Sequence, residues 1–165
     1  MLASGMDIHR WSRTVNVLCA VLCAAHAFAA APAEVQGSFV VGGVEAGLSH
    51  ARAARVELDK GKPGFAVLLS AAKADGDIRA WQTADPKRRG SFIFLLLEQK
   101  GSVWVAEIGH AAAKAGRFGV VTEVQVQAFA VEGGLLKAHV RTDGEQVFTD
   151  DRYRIDLQVA APLEK

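Results

Sequence analysis

Two apolar runs between Gly90 and His110, separated by a tight turn, constrain the fold of this chain more than any other stretch. Phe92 to Leu97 is six apolar residues in a row, Lys100 to Ser102 interrupts the pattern, and the run from Val103 to Ile108 contains one charged residue. Runs of this length are too short to span a membrane, and their aromatic and branched residues favour strands. Apolar residues on both faces predict that the first strand is covered on both sides at the centre of the domain.

The remainder of the chain reads as further short strands separated by glycine turns. Residues 120–131 predict a long one-sided strand with Ala128 among its inward residues. Asp143-Gly144 predicts a hairpin between the strands on either side of it, and Tyr153 to Val159 alternates apolar and polar residues until Pro162 ends the strand. We therefore predict an all-β fold, an antiparallel β-sandwich or partly closed barrel of about eight or nine short strands.

One or two short helical turns are expected between the strands. Ser70 is a candidate cap for a turn ended by Gly76, and Asp77 for a turn that places Ile78 and Trp81 on one face. Residues 85–90 read as a polar turn, and residues 111–116 as another candidate helical turn. Helices this short are marginal unless they pack on a sheet.

The N-terminus has the pattern of an export signal. A basic start that includes Arg10 and Arg13 precedes an apolar core, Val15 to Ala25, and Ala27-Phe28-Ala29 matches the small-x-small cleavage pattern. The apolar core is shorter than the roughly 20 residues of a spanning helix, so we expect cleavage rather than a retained anchor. The predicted organisation is a signal peptide over 1–29, a linker over 30–36 and a single β domain over 37–165, located in the periplasm or secreted.

Cleavage would leave a mature chain without cysteine and without net charge. Both cysteines, Cys19 and Cys23, lie in the signal, and 136 of the 165 residues remain. A chain of this size can be stable through its core alone. Of 19 basic and 18 acidic residues, 17 of each remain, so no global field would attract nucleic acid or anionic lipid. We expect no nucleic-acid partner and no stable membrane insertion after cleavage.

Both ends of the predicted mature chain carry motifs of a wider group. These motifs are Gly37 to Gly43, His50 to Ala53, Tyr153-x-x-Asp156 and Ala161 to Leu163. In them the chain resembles small exported β-sandwich domains of Gram-negative bacteria, which have a Gly-x-Phe start, a Tyr-x-x-Asp strand and an Ala-Pro-Leu close. The resemblance implies fold and export; it implies no activity and no site residues.

The candidate binding residues are Trp81 and the basic cluster Lys87, Arg88 and Arg89. An aromatic residue and cations on a loop above a β scaffold are suited to an anionic envelope polymer or headgroup. The alternatives are a solvated loop and a tryptophan that covers an open end of the sandwich. Trp104, in the middle of a strand, is expected in the core.

The three mature histidines, His50, His110 and His139, lack the spacing of metal ligands. We predict no metal and no other cofactor. Glu98 and Glu107 are expected to lie three pairs, about 10 Å, apart on opposite faces of the hairpin, too far for a retaining glycosidase. No catalytic residue is predicted.

The leading hypothesis is a non-enzymatic domain that binds an envelope component or another exported protein. Two alternatives stay open. One is a hydrolase whose site is assembled from distant histidines and carboxylates. The other is a structural envelope protein that assembles through a free sheet edge.

Overall fold

The computed structural model describes residues 34–164, which fold into eleven β-strands with three short helical pieces. The strands are β1 (Glu34–Val41), β2 (Val44–Glu45), β3 (His50–Glu57), β4 (Pro63–Ser70), β5 (Phe92–Glu98), β6 (Val103–Gly109), β7 (Arg117–Gly119), β8 (Val124–Glu132), β9 (Leu135–Thr142), β10 (Gln146–Phe148) and β11 (Asp151–Glu164). The helical pieces are 3₁₀ turns at Asp59–Gly61 and Ile78–Trp81 and the helix α1 (Pro86–Arg89). The predicted all-β class is confirmed. The strand count exceeds the prediction because β2, β7 and β10 are only two or three residues long.

The strands form one curled sheet in which β11 joins the two halves. β11 pairs antiparallel with β1 and β9, and β9 continues to β8. The last two residues of β11, Leu163 and Glu164, pair in parallel with β3. From β3 the sheet continues through antiparallel neighbours in the order β4, β5, β6 and β7. The length of β11 therefore lets a single strand close the fold around the core.

The central hairpin predicted from the two apolar runs is confirmed as β5 and β6. Ile93, Leu95 and Leu97 face the main core inside the curl. Phe94 and Leu96 face a second, smaller apolar layer outside it. Both faces of β5 are therefore covered, as its sequence predicts.

The outer layer comes from the segment between β4 and β5. Ala74, Ile78 and Trp81 of this segment are buried against the outer face of the sheet. Arg52 of β3 fastens the segment, because its guanidinium donates to the carbonyls of Ala74 at 2.8 Å and Gly76 at 3.0 Å. The prediction that Asp77 caps a helical turn is confirmed, since its carboxylate accepts from the Arg79 N–H at 2.9 Å.

The two other predicted helical turns are absent from the described residues. Ser70 is the last residue of β4, and its hydroxyl donates to the Ala72 carbonyl at 2.8 Å, so it closes a bend rather than capping a helix. Residues 111–116 form a series of tight turns, held by the Asp151 carboxylate from another part of the chain.

The prediction that Ala128 faces inward from a regular strand is wrong. The register of β8 against β9 shifts between Gln127 and Ala130, and Ala128 has a positive φ of 49°. This bulge leaves Ala128 exposed and turns Phe129 towards the main core.

The prediction that Pro162 ends the last strand is also wrong, because β11 continues to Glu164. Successive N–H groups of a strand point to opposite edges, and the Leu163 N–H bonds to Gly134 beside β9. The Pro162 nitrogen therefore faces the other edge, between the end of β1 pairing at Ala160 and the start of β3 pairing at Leu163. No ladder hydrogen bond is lost there, so proline is tolerated.

The predicted hairpin at Asp143-Gly144 does not pair its two flanking strands. β9 pairs with β8 and β11, and β10 pairs with β11 instead of with β9. The chain also enters the sheet earlier than predicted. β1 begins at Glu34, which pairs with Ala160, so the linker predicted up to residue 36 ends sooner.

Candidate functional site

Two short turns position the aromatic and basic residues singled out from the sequence. The 3₁₀ turn Ile78–Trp81 directs Ile78 and Trp81 onto the sheet. α1 follows, with Asp85 as its cap accepting from the Lys87 N–H at 3.0 Å and Pro86 in its first turn. Proline is suited to that position because the first helical N–H groups have no partner within the helix.

Trp81 lies at the boundary between the outer apolar layer and the surface. Its side chain is 3% exposed and packs edge-on against Phe92, with ring centroids 5.4 Å apart. The Arg89 guanidinium lies over the indole, 5.0 Å from the ring centroid. The indole Nε1–H is buried and has no hydrogen-bond partner within residues 34–164. Trp81 therefore serves as a cover, but it covers the outer face of the sheet instead of the open end that was expected.

A pocket of about 320 Å³ opens beside this indole, and we call it the Trp81 pocket. It is lined by Ala72, Lys73, Asp75, Trp81, Arg88 and Arg89. Three of these side chains are cations and one is an acid. Arg88 has only a distant partner, Asp85 at 3.9 Å, and among residues 34–164 neither Lys73 nor Arg89 forms a salt bridge. The pocket therefore has an unbalanced positive charge at its surface.

The structure brings together three of the four predicted binding residues. Lys87 is absent from the lining of the Trp81 pocket and lines a separate depression of about 350 Å³ on the surface near Lys114 and Arg117. Sequence reasoning missed Lys73, which lies between two alanines in a segment without periodicity. The only indication in the sequence was that this segment precedes the Trp81 turn.

The three histidines lie in different surroundings. His50 and His110 lie near the same end of the sheet, since the pairs His50–Ser70, Ser70–Phe92 and Phe92–Gly109 run across four strands. Three interstrand spacings separate them by about 14 Å. His139 lies on the outer face of β9, with its Nε2 2.6 Å from the Asp156 carboxylate. That contact lowers the pKa of Asp156. Within residues 34–164, no three histidine or acidic side chains are placed to share a metal ion.

His110 belongs to a buried polar group beside the loop 111–116. It is 2% exposed, its Nδ1 accepts from the Ala112 N–H at 3.0 Å, and its Nε2 has no partner among the described residues. Burial lowers the pKa of His110, and the nearby charge of Asp151 opposes this shift. Because Nδ1 accepts, the neutral ring carries its proton on Nε2.

Tyr153 is the other buried group of this region whose polar atom lacks a partner. Its hydroxyl is buried and unpaired within residues 34–164, and burial together with the charge of Glu123 raises its pKa to about 12. Its ring packs edge-on against Phe118 at 5.4 Å. This environment holds the phenol neutral over the physiological range and makes it part of the core.

The hairpin register also differs from the expected one. Leu97 pairs with Val103 and Leu96 with Val105, so Trp104 is the extra residue of a bulge. Trp104 is 42% exposed, and its predicted place in the core is wrong for this reason.

The same bulge changes the relation of the two glutamates. Glu107 lies opposite Phe94, and Glu98 lies four residues further along β5, about 13 Å away. Both therefore fall on the face of β5 that carries Phe94, instead of on opposite faces. Glu107 pairs with Arg117 at 2.9 Å. The separation does not fit the paired carboxylates of a glycosidase.

No family model, curated protein or solved structure matches this chain. None of the helical pieces between residues 34 and 164 has the length and apolarity that a membrane-spanning helix needs.

Proposed function

We propose that the protein is an exported, non-enzymatic β domain that binds an anionic group of an envelope component, or of another exported protein, through the Trp81 pocket. The observation that carries the proposal is the convergence of Lys73, Arg88 and Arg89 in one pocket beside the Trp81 indole, with Asp75 as the only acid in its lining. A carboxylate, phosphate or sulfate would neutralise the cations.

The arrangement of Arg89 favours binding of an anion. A guanidinium presents a planar set of donors that can hold a carboxylate or phosphate through two parallel hydrogen bonds. Stacking over Trp81 limits the conformations of the Arg89 side chain before a ligand arrives. Less entropy is then lost on binding, which increases affinity.

The two arginines and the tryptophan of this pocket are suited to binding rather than to proton transfer. Arginine stays charged at all physiological pH values, and an indole N–H only donates. The predicted export signal and the resemblance to exported domains of Gram-negative bacteria support a place in the periplasm or outside the cell, where anionic glycans and headgroups are partners of this chemistry.

The proposal is tested with the predicted mature chain and two anionic probes. These are polygalacturonate and vesicles containing phosphatidylglycerol, with dextran and phosphatidylcholine vesicles as their neutral counterparts. We expect binding to at least one anionic probe and to neither neutral one. The variant Arg88→Gln/Arg89→Gln should lose about tenfold or more in affinity, since one charge-assisted hydrogen bond contributes about 1.5–3 kcal/mol.

A matched control removes the same charge elsewhere. Lys137 and Arg141 lie on β9, and their nearest acidic partners are 3.9 Å and 3.7 Å away. Lys137→Gln/Arg141→Gln should retain the affinity of the parent chain. Equal losses in both double variants would show a non-specific charge effect and overturn the proposal, as would the absence of binding to either anionic probe.

A further inference from the structure

The curled sheet has an open end near the turn of the central hairpin. Along β3, Ala51 and Ala53 face the main core and are buried, and Arg55 continues the same alternation but is exposed. Opposite Arg55 in the register is Phe65, a member of the main core. The core therefore ends at Phe65, and Arg55 lies above it with its guanidinium 5.3 Å from the ring centroid.

A second aromatic ring lies beside Phe65 at the base of this open end. Phe129 lies next to the bulge at Ala128, and its ring centroid is 5.7 Å from that of Phe65. The hairpin turn is close to it, since a Cβ on Gly101 would come within 2.6 Å of the Phe129 ring. The strained bulge thus directs a half-buried aromatic side chain to the mouth of the curled sheet. Bulges often redirect side chains in this way beside binding sites.

The groove above these rings has a volume of about 620 Å³ and is lined by Arg55, Phe65, Gln99, Lys100, Phe129, Ala130 and Val131. Small-molecule sites commonly have volumes of about 300–1,000 Å³ and occur at the mouths of β-barrels. Two cations and no acid line it, and among residues 34–164 neither Arg55 nor Lys100 forms a salt bridge. The neighbouring groove, of about 380 Å³, shares Gln99 and Lys100 and adds one more cation, Lys62, and one acid, Glu98.

We propose that this open end, which we call the Phe129 groove, is a second binding site that takes a small organic anion with an apolar ring. The ring would lie against the half-buried Phe129, beside the small part of the buried Phe65 that lines the groove, and the anionic group would meet Arg55 and Lys100. One molecule would then make both the apolar contact and the charged contact. The site is separate from the Trp81 pocket and does not depend on the function proposed there.

Phenyl phosphate is the probe, and it is compared with its two halves, inorganic phosphate and phenol. Backbone amide NMR spectra of the labelled mature chain report both the affinity and the residues that respond. We expect phenyl phosphate to bind at least about tenfold more tightly than either half, with shifts at residues 99–101 and 129–131. Arg55→Gln and Lys100→Gln should each weaken it about threefold to tenfold. The spectra of these surface variants also show whether the fold is retained.

Arg154→Gln removes one exposed charge from β11 outside both proposed sites, serves as the control and should bind phenyl phosphate as the parent chain does. The affinity is read only from shifts at residues 99–101 and 129–131, none of which lines the Trp81 pocket. Failure of this proposal is therefore distinct from failure of the Trp81 pocket. The proposal is overturned if phenyl phosphate causes no saturable shifts at residues 99–101 and 129–131, or if inorganic phosphate or phenol alone shifts these residues with the same affinity. It is also overturned if folded Arg55→Gln and Lys100→Gln keep the parent affinity.

Discussion

Replacing each of two adjacent leucines of β5 tests whether both faces of this strand are packed. Leu95 is fully buried in the main core, and Leu96 is 9% exposed beneath the outer layer. A buried Leu→Ala change costs about 2–5 kcal/mol, with the larger values where the surroundings cannot collapse. We expect about 3–5 kcal/mol for Leu95→Ala and about 2–3 kcal/mol for Leu96→Ala, because the short outer segment can close the cavity more easily than the sheet can.

Urea unfolding at constant pH measures both effects, with Gln125→Ala as a surface control. Gln125 is exposed on β8, so its replacement should change the free energy of unfolding by no more than about 0.5 kcal/mol. The slope against urea should stay constant, since a change in slope would indicate altered compactness. If Leu96→Ala matches the control, the outer layer does not pack on β5, and the position of Trp81 argued from that layer is wrong as well.

Three further predictions concern stability and export. Burial lowers the pKa of His110, so the folded state favours its neutral form. The free energy of unfolding should therefore be highest above the unfolded pKa of about 6.5 and decrease as the pH falls through that value. In urea midpoints measured from pH 7.5 to 5, His110→Gln should flatten this decrease. Gly101→Ala should destabilise the fold by about 2 kcal/mol or more, since Gly101 has a φ of 90° and the new Cβ would meet Phe129. Gly133→Ala is the control and should cost about 1 kcal/mol, since Gly133 has a φ of 57° and no atom within 4 Å of the new Cβ. Equal thermal midpoints for the two variants would contradict this prediction. The exported chain should begin between Ala29 and Ala33 by intact mass, and a full-length chain retained in the inner membrane would refute the predicted cleavage.

The sequence alone determined the central hairpin, the all-β class and the two covered faces of β5. These properties depend on the local side-chain period of a strand, in which alternate residues share a face. The alternation in β11 likewise placed Tyr153 and Leu157 inside.

The tertiary structure decided where that local period is broken. The bulges at Trp104 and Ala128 depend on how the two paired strands match in length, so a regular alternation misplaced Trp104 and Ala128. β9 and β10 pair with β11 rather than with each other, although a turn signal joins them in the chain. Pro162 is tolerated in β11 because its nitrogen faces the edge at which pairing with β1 has ended and pairing with β3 has not yet begun.

The candidate sites show the same division between local pattern and distant contact. Trp81, Arg88 and Arg89 were recognisable as an aromatic residue near a basic run, but Lys73 joins them only because the chain folds back over the outer face of the sheet. In the Phe129 groove, Arg55 and Phe129 come from strands more than 70 residues apart in the chain. Their proximity follows from the closure of the sheet through β11, which is a property of the packed fold and not of any segment of the sequence.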